Sequence, residues 1–219
     1  ATGRAMTSGS SILRRCGRGP ATEVTVLSDG EDGLRGVVGW FGKGRHRLDW
    51  FHVTRRLEKI GKSFLYLPEG TLEFGDPLRL HWRNLASLRH RLWNDGVESA
   101  EFGMTDVRIG LFQHSLECDP SKLDRFIAIE KQLNELRSYL YANRESVEEY
   151  ASAFRAKERV STAHVESTVN QLINWRFCKK HQAAWTRQGA QALLHVKTAL
   201  INGCLERYTG YEQQSAIAA

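Results

Sequence analysis

Proline, methionine and cysteine are all scarce in this chain of 219 residues, which has four Pro, two Met and four Cys. Cys16, Cys118, Cys178 and Cys204 stand far apart and form no C-x-x-C pair. That excludes a dithiol motif or zinc ribbon and predicts reduced thiols in the cytoplasm, in preference to a disulfide scaffold. No run of about 20 apolar residues occurs, so no membrane-spanning helix is expected. Residues 1–18 lack the apolar stretch of a secretory signal, and internal repeats and low-complexity tracts are also missing. Charge is plentiful: 31 Lys and Arg against 25 Asp and Glu give a net +6. An excess of that size suits a polyanionic partner without requiring one.

Residues 1–20 read as a flexible segment. Val24-Thr25-Val26-Leu27 reads as a short strand covered on both faces, ended by the turn Ser28-Asp29-Gly30. Leu34, Val37 and Val38 predict a short helix over 31–39, weakened by three glycines. A second strand is expected over 45–49, then a helix over 51–61 with Leu57 and Ile60 inward. Strand, helix, strand in so few residues favours an α/β unit. From about 64 to 159 the pattern turns helical. Leu85, Leu88 and Leu92 recur at helical spacing, and Leu123, Phe126, Ile127, Ile129, Leu133, Leu136 and Leu140 form one broad stripe. Joints are expected at 68–77, 94–96 and 118–120. Further on, Ser161 or Thr162 is expected to cap a helix that buries Val165, Val169, Leu172 and Ile173, with Glu166 at the stripe's edge. A final helix over 188–205 should bury Ala192, Leu193, Val196 and Leu200, and 206–219 reads as a tail.

Two carboxylates invite a chemical reading. Asp29 lies at the mouth of a strand, where a rigidly held acid can bind a divalent cation; it also suits a plain Asx turn. Glu31 and Asp32 are substitutes as ligands, or simple helix-start acids. Glu166 is either a second ligand or a solvated face residue, and no local spacing links it to Asp29. Asp49 and His52, three residues apart, predict a hydrogen-bonded pair, or a zinc site whose other ligands have no paired spacing. Arg79, Arg83, Arg89 and Arg91, mixed with His81, His90, Trp82 and Trp93, form an acid-free stretch suited to phosphates and stacked bases. The bland alternative is a solvated helix face with buried tryptophans. Arg176, Lys179, Lys180 and Arg187, interleaved with Trp175, Phe177 and Trp185, form a second basic cluster beyond Glu166.

Val26-Leu27-Ser28-Asp29-Gly30-Glu31-Asp32-Gly33, Leu48-Asp49-Trp50-Phe51-His52 and Ser161-Thr162-Ala163-His164-Val165-Glu166-Ser167-Thr168-Val169-Asn170-Gln171 resemble transposases of bacterial insertion sequences. The nearest group is the Kra4-like family, related to the Mutator-like DDE enzymes. Arg176-Phe177-Cys178-Lys179-Lys180 and Trp185-Thr186-Arg187-Gln188-Gly189-Ala190-Gln191-Ala192-Leu193-Leu194 extend the likeness.

The resemblance implies an incomplete ribonuclease H-like α/β fold, interrupted by a mainly α-helical insertion. Its pieces would be a partial catalytic core over 21–62, the insertion over 63–159 and core-completing helices over 160–205. It implies Asp29 and Glu166 as catalytic metal ligands, with Asp49 and His52 as a structural signature beside them. The cofactor would be Mg²⁺ or Mn²⁺, two ions in the intact enzyme. The partners would be double-stranded DNA, as transposon ends and target, with a homo-oligomer when intact, in the cytoplasm on the nucleoid. The 28 residues before Asp29 contain no Asp, and Glu23 is their only acid, so the family's first Asp has no counterpart there. The expectation is therefore that Asp29 and Glu166 approach within about 4–8 Å, the reach of a two-ion site. This chain alone should fold only partly and should not nick DNA. The rival readings are a non-catalytic DNA-binding or regulatory remnant, and a ribonuclease H-like nuclease that cuts without joining.

Overall fold

The computed structural model describes residues 11, 13–69, 76–177 and 185–204, with the side chains of 174–177 left out of that description. Two compact units emerge, Ala1–Thr162 and Ala163–Ala219.

In the first unit, strand β1 (Val24–Ser28) pairs in parallel with β2 (Gly44–Leu48), in register from Val24↔Gly44 to Ser28↔Leu48. The crossover holds a single helical turn, α1 (Asp32–Arg35), which runs into a 3₁₀ turn over Gly36–Trp40. Among the described residues these two strands are the whole sheet. β1 was expected to be covered on both faces, yet Val24 to Leu27 are only half-buried. With one neighbouring strand, a β-branched run has little to pack against.

β2 carries Arg47, 1% exposed, between the carboxylates of Glu148 (2.7 Å) and Glu158 (2.5 Å). Its guanidinium also donates to the Arg159 carbonyl at 2.9 Å. A buried guanidinium needs several acceptors, and these three tie β2 to the segment 148–159.

Asp49 then caps α2 (Trp50–Phe64) by accepting from the Phe51 amide at 3.0 Å. Asp49 was expected at the end of the strand, but its extended backbone serves as the helix N-cap. Val53, Leu57, Ile60 and Phe64 recur at three and four residues and face inward. They pack against α3 (Pro77–Leu116), α4 (Leu123–Ala142) and the short α5 (Tyr150–Arg155) in one core.

α3 is a hairpin of two helical arms, 77–95 and 97–116, reversing at Gly96 with φ +82°, a conformation that side chains resist. The arms meet along their length, through Asn84 donating to the Asp106 carbonyl at 2.9 Å and His81 facing His114 at 3.0 Å. The Leu85, Leu88 and Leu92 stripe is buried as expected, and so are Phe126, Ile129, Leu133, Leu136 and Leu140 of α4. Leu123 and Ile127 were expected in that stripe, but they are exposed at 37% and 64%. An α4 face wide enough to include them would exceed what α2 and α3 can cover.

The His81–His114 pair is buried, and the outer nitrogens, His81 Nδ1 and His114 Nε2, make no hydrogen bond of normal geometry among the described residues. Burial first, then the facing His114, pulls His81 down to about 4, against a small opposing pull from Asp76. Burial also lowers His114, opposed by Glu117, the Pro68 backbone and Asp76. Both folded-state values lie below the unfolded one, so the unfolded chain takes up protons first as pH falls. The pair's contribution is therefore complete above about pH 6.5 and drains away between about 6.5 and 4. Urea unfolding at pH 7.5 and 4.5 should differ by about 2–3 kcal/mol. In a His81→Leu/His114→Phe variant that difference should shrink to what the carboxylates contribute; an unchanged difference would acquit the pair.

The second unit, as described, consists of α6 (Ala163–Phe177) packed on α7 (Arg187–Ile201). Thr186 caps α7 by accepting from the Gly189 amide at 3.1 Å, and Lys197 donates to the Leu172 carbonyl at 2.8 Å. Of the residues expected inside, Leu172 and Leu193 are half-buried, while Val165, Val169, Ile173, Val196, Leu200 and Ala192 are exposed. A helix pair buries only its seam, so apolar positions off that seam stay outside. None of the described helices is long and apolar enough to cross a membrane.

Candidate functional site

Asp29 follows the last residue of β1 directly, at the tip of a tightly held turn. Gly30 has φ +93° and lies so close to Asn143 that a Cβ there would collide with its amide group. The Gly30 amide donates to Ser28 Oγ at 3.1 Å, Ser28 Oγ lies 2.7 Å from His46 Nε2, and His46 Nδ1 lies 2.6 Å from Ser146 Oγ. Burial first, and then the nearby Arg35, pull the His46 imidazole below its usual range. A neutral ring has one donor and one acceptor nitrogen, which is what two serine hydroxyls need. The side chain of Asp29 is exposed and accepts from the Glu31 amide at 3.2 Å, so the Asx turn is real.

Asp29 shares a groove of about 830 Å³ with one face of α2. His52, Arg55, Lys59, Lys62 and Tyr66 succeed one another there at three- and four-residue steps, opposite the buried Val53, Leu57, Ile60 and Phe64. Four cations, Arg55, Arg56, Lys59 and Lys62, face two acids, Asp29 and Glu58. Arg56 lies over the ring of Tyr139 at 4.0 Å, which holds the guanidinium against the groove wall. The Tyr139 hydroxyl is buried with no hydrogen-bond partner of normal geometry among the described residues. Burial pushes it up to about 12, against the pull of Arg56 and with help from Asp29 and Asp49, so it remains a proton donor.

The other residues singled out from sequence fall into distinct environments. Asp49 is 1% exposed and accepts from the Thr162 amide at 3.0 Å and from the Thr162 hydroxyl, besides the Phe51 amide. Ser161 or Thr162 was expected to cap α6, and the Thr162 hydroxyl donates to Asp49. The Trp50 amide reinforces the join by donating to the Val160 carbonyl at 3.0 Å. His52 Nε2 stands 3.8 Å from Asp49 Oδ2, too long for the hydrogen bond expected from sequence. His52 aims into the groove, and Asp49 is committed to backbone and hydroxyl donors.

Arg79, Arg83 and Arg89 are exposed along the first arm of α3, and Arg91 is half-buried with its Nε lacking a partner among the described residues. The surrounding aromatics are partly structural. Trp93 meets Trp50 edge-on at 4.8 Å and stacks on Tyr150 at 5.9 Å, His81 is buried, and Trp82 packs edge-on against Phe64. Glu166 is half-buried in the first turn of α6. It belongs to the second unit and Asp29 to the first, so the pairing of these two carboxylates remains an expectation. Arg187 is exposed at the start of α7; the side chain of Arg176, together with Lys179 and Lys180, lies outside the described residues.

Carboxylate oxygens are the right donors for Mg²⁺ or Mn²⁺, and Asp29 offers one such group at a rigid tip. Among the described residues no three His, Cys, Asp or Glu side chains converge as a ligand set. Asp29 therefore fits such an ion in kind but not by itself in number.

The row Arg55, Lys59 and Lys62 was not singled out from sequence. Its signal was present, as cations at i, i+4 and i+7 opposite an apolar stripe, but such a row also describes any solvated helix face. Only the fold puts Asp29 and Tyr139 beside it. Compared with protein-family models, with curated proteins and with solved structures, the chain matches none of them.

Proposed function

We propose that this protein binds DNA along the α2 groove, as part of the metal-dependent strand-cleaving and strand-joining chemistry of the transposases its sequence resembles. One observation carries the reading: Asp29 lines the same groove as Arg55, Arg56, Lys59 and Lys62. Cations spaced along a helix hold successive phosphates of one strand, and backbone contacts of this kind set register without reading sequence. The half-exposed His52 lies in the same wall. The rigid turn 28–30 presents the Asp29 carboxylate to whatever phosphate the cations hold. Asp29 and Glu166 are the residues proposed to hold Mg²⁺ or Mn²⁺, which when bound supplies an activated water for phosphodiester attack.

The Asx bond from Asp29 to the Glu31 amide favours a second reading, in which Asp29 only shapes the turn and the groove binds DNA without cleavage. Both readings require DNA binding. Fluorescence anisotropy of a labelled duplex should show affinity falling with salt at a log–log slope of about −4, given about 0.9 per phosphate neutralised. No binding at low salt would remove both. Because the chain alone is expected not to nick DNA, metal binding separates them: Mn²⁺ binding that Asp29→Ala abolishes supports the catalytic reading, and DNA binding without metal binding leaves the second.

A further inference from the structure

Phe51, Tyr66 and Tyr139 bring aromatic rings into the α2 groove among its cations. Two of the three rings are already engaged. The Arg56 guanidinium lies over Tyr139 at 4.0 Å, and Phe51 has Arg55 over its face at 5.6 Å and His52 against its edge. Tyr66 differs: it is 71% exposed, and among the described residues no ring or guanidinium stacks on it. Its backbone is nonetheless fixed. The Tyr66 amide donates to the Ser63 carbonyl at 3.2 Å, and Arg125 donates to the Tyr66 carbonyl at 2.6 Å. A lone exposed aromatic is ordinary on a protein surface. This one stands just beyond Lys59 and Lys62 in the same groove. Along the helix axis the cations are spaced by about 6 Å from Arg55 to Lys59 and about 4.5 Å from Lys59 to Lys62, within reach of successive phosphates of one strand. The groove's volume of about 830 Å³ is that of a cleft for small ligands. It admits a few nucleotides of one strand, whereas a base-paired helix can only lay one backbone across it.

We propose that the groove takes single-stranded DNA, such as the unpaired end of a duplex, in preference to continuous duplex, and that Tyr66 is the platform on which the first unpaired base stacks. The proposal rests on the reading of the groove as a DNA site and adds the form of DNA that it selects. In a duplex both faces of every internal base are covered by its neighbours, so an exposed ring gains nothing from them. In an unpaired strand a base face is free, and stacking on an aromatic side chain tolerates any sequence. Charge alone pulls the other way, because the duplex is the denser polyanion. A preference for the single strand therefore reports the ring and not the cations.

The test is fluorescence anisotropy of the full chain with a labelled strand of mixed sequence, about 20 nucleotides long, free and annealed to its complement, in one buffer without divalent metal. The single strand should bind about 10-fold tighter than the duplex. Tyr66→Ala should erase that preference, weakening single-strand binding by about 10-fold or more and duplex binding by less than about twofold. Its circular dichroism spectrum should be unchanged, because the side chain is exposed. Tyr66→Phe, which keeps the ring, should retain the wild-type preference. Duplex bound as tightly as the single strand overturns this inference and leaves the DNA reading standing. So does a Tyr66→Ala variant that keeps the preference. Binding of neither form overturns both.

Discussion

Replacing Arg55, Arg56, Lys59 and Lys62 together by alanine is expected to weaken duplex binding on the order of 100-fold or more at moderate salt, with the fold intact. All four lie on the exposed wall of α2, and none of them contributes to the core. The salt slope should become shallower by about 3 to 4 units, since each lost phosphate contact removes about 0.9. Arg79→Ala/Arg83→Ala provides the comparison. These arginines also face solvent but lie outside the groove, and their removal should cost affinity only in proportion to two charges. Equal losses for the four-fold and two-fold variants would mean that general positive charge, and not the groove, binds the DNA.

Arg47→Ala is expected to be the most damaging single change to the fold, destabilising it by about 3–5 kcal/mol. The side chain is 1% exposed, and its removal leaves Glu148 and Glu158 with only the more exposed Arg45 between them. It also frees the Arg159 carbonyl and loosens the attachment of the segment 148–159 to β2. The neighbouring Arg45 contacts the same two acids from a third-exposed position, so Arg45→Ala should cost no more than about 1 kcal/mol. Urea denaturation of the two variants measures the difference. Similar values for both would show that burial does not set the worth of this network.

The local elements were largely legible in the sequence because their signals are local. A β-branched run ending in Ser-Asp-Gly gave β1, and leucines at helical spacing gave the inward faces of α3 and α4. The reversal at Gly96 and the break near Asp119-Pro120 were marked by turn chemistry. What sequence could not supply was convergence. Arg47 reads as a strand cation until Glu148 and Glu158, about a hundred residues away, enclose it. His81 and His114 are ordinary helix residues until the hairpin folds them together. Likewise, Asp49 and His52 looked like a pair at close spacing, but Thr162 and the Phe51 amide claim the carboxylate and leave the imidazole to the groove. In α6 and α7 the apolar pattern promised more burial than a helix pair can provide.

Lysine acetylation footprinting, read by mass spectrometry with and without saturating duplex DNA, tests the central claim at the residues concerned. Lys59 and Lys62 line the groove, whereas Lys43 and Lys122 are exposed elsewhere on the same unit. The account predicts strong protection of Lys59 and Lys62 by DNA, with Lys43 and Lys122 reacting as in the free protein. DNA-bound protein in which Lys59 and Lys62 acetylate as fast as Lys43 and Lys122 would contradict it.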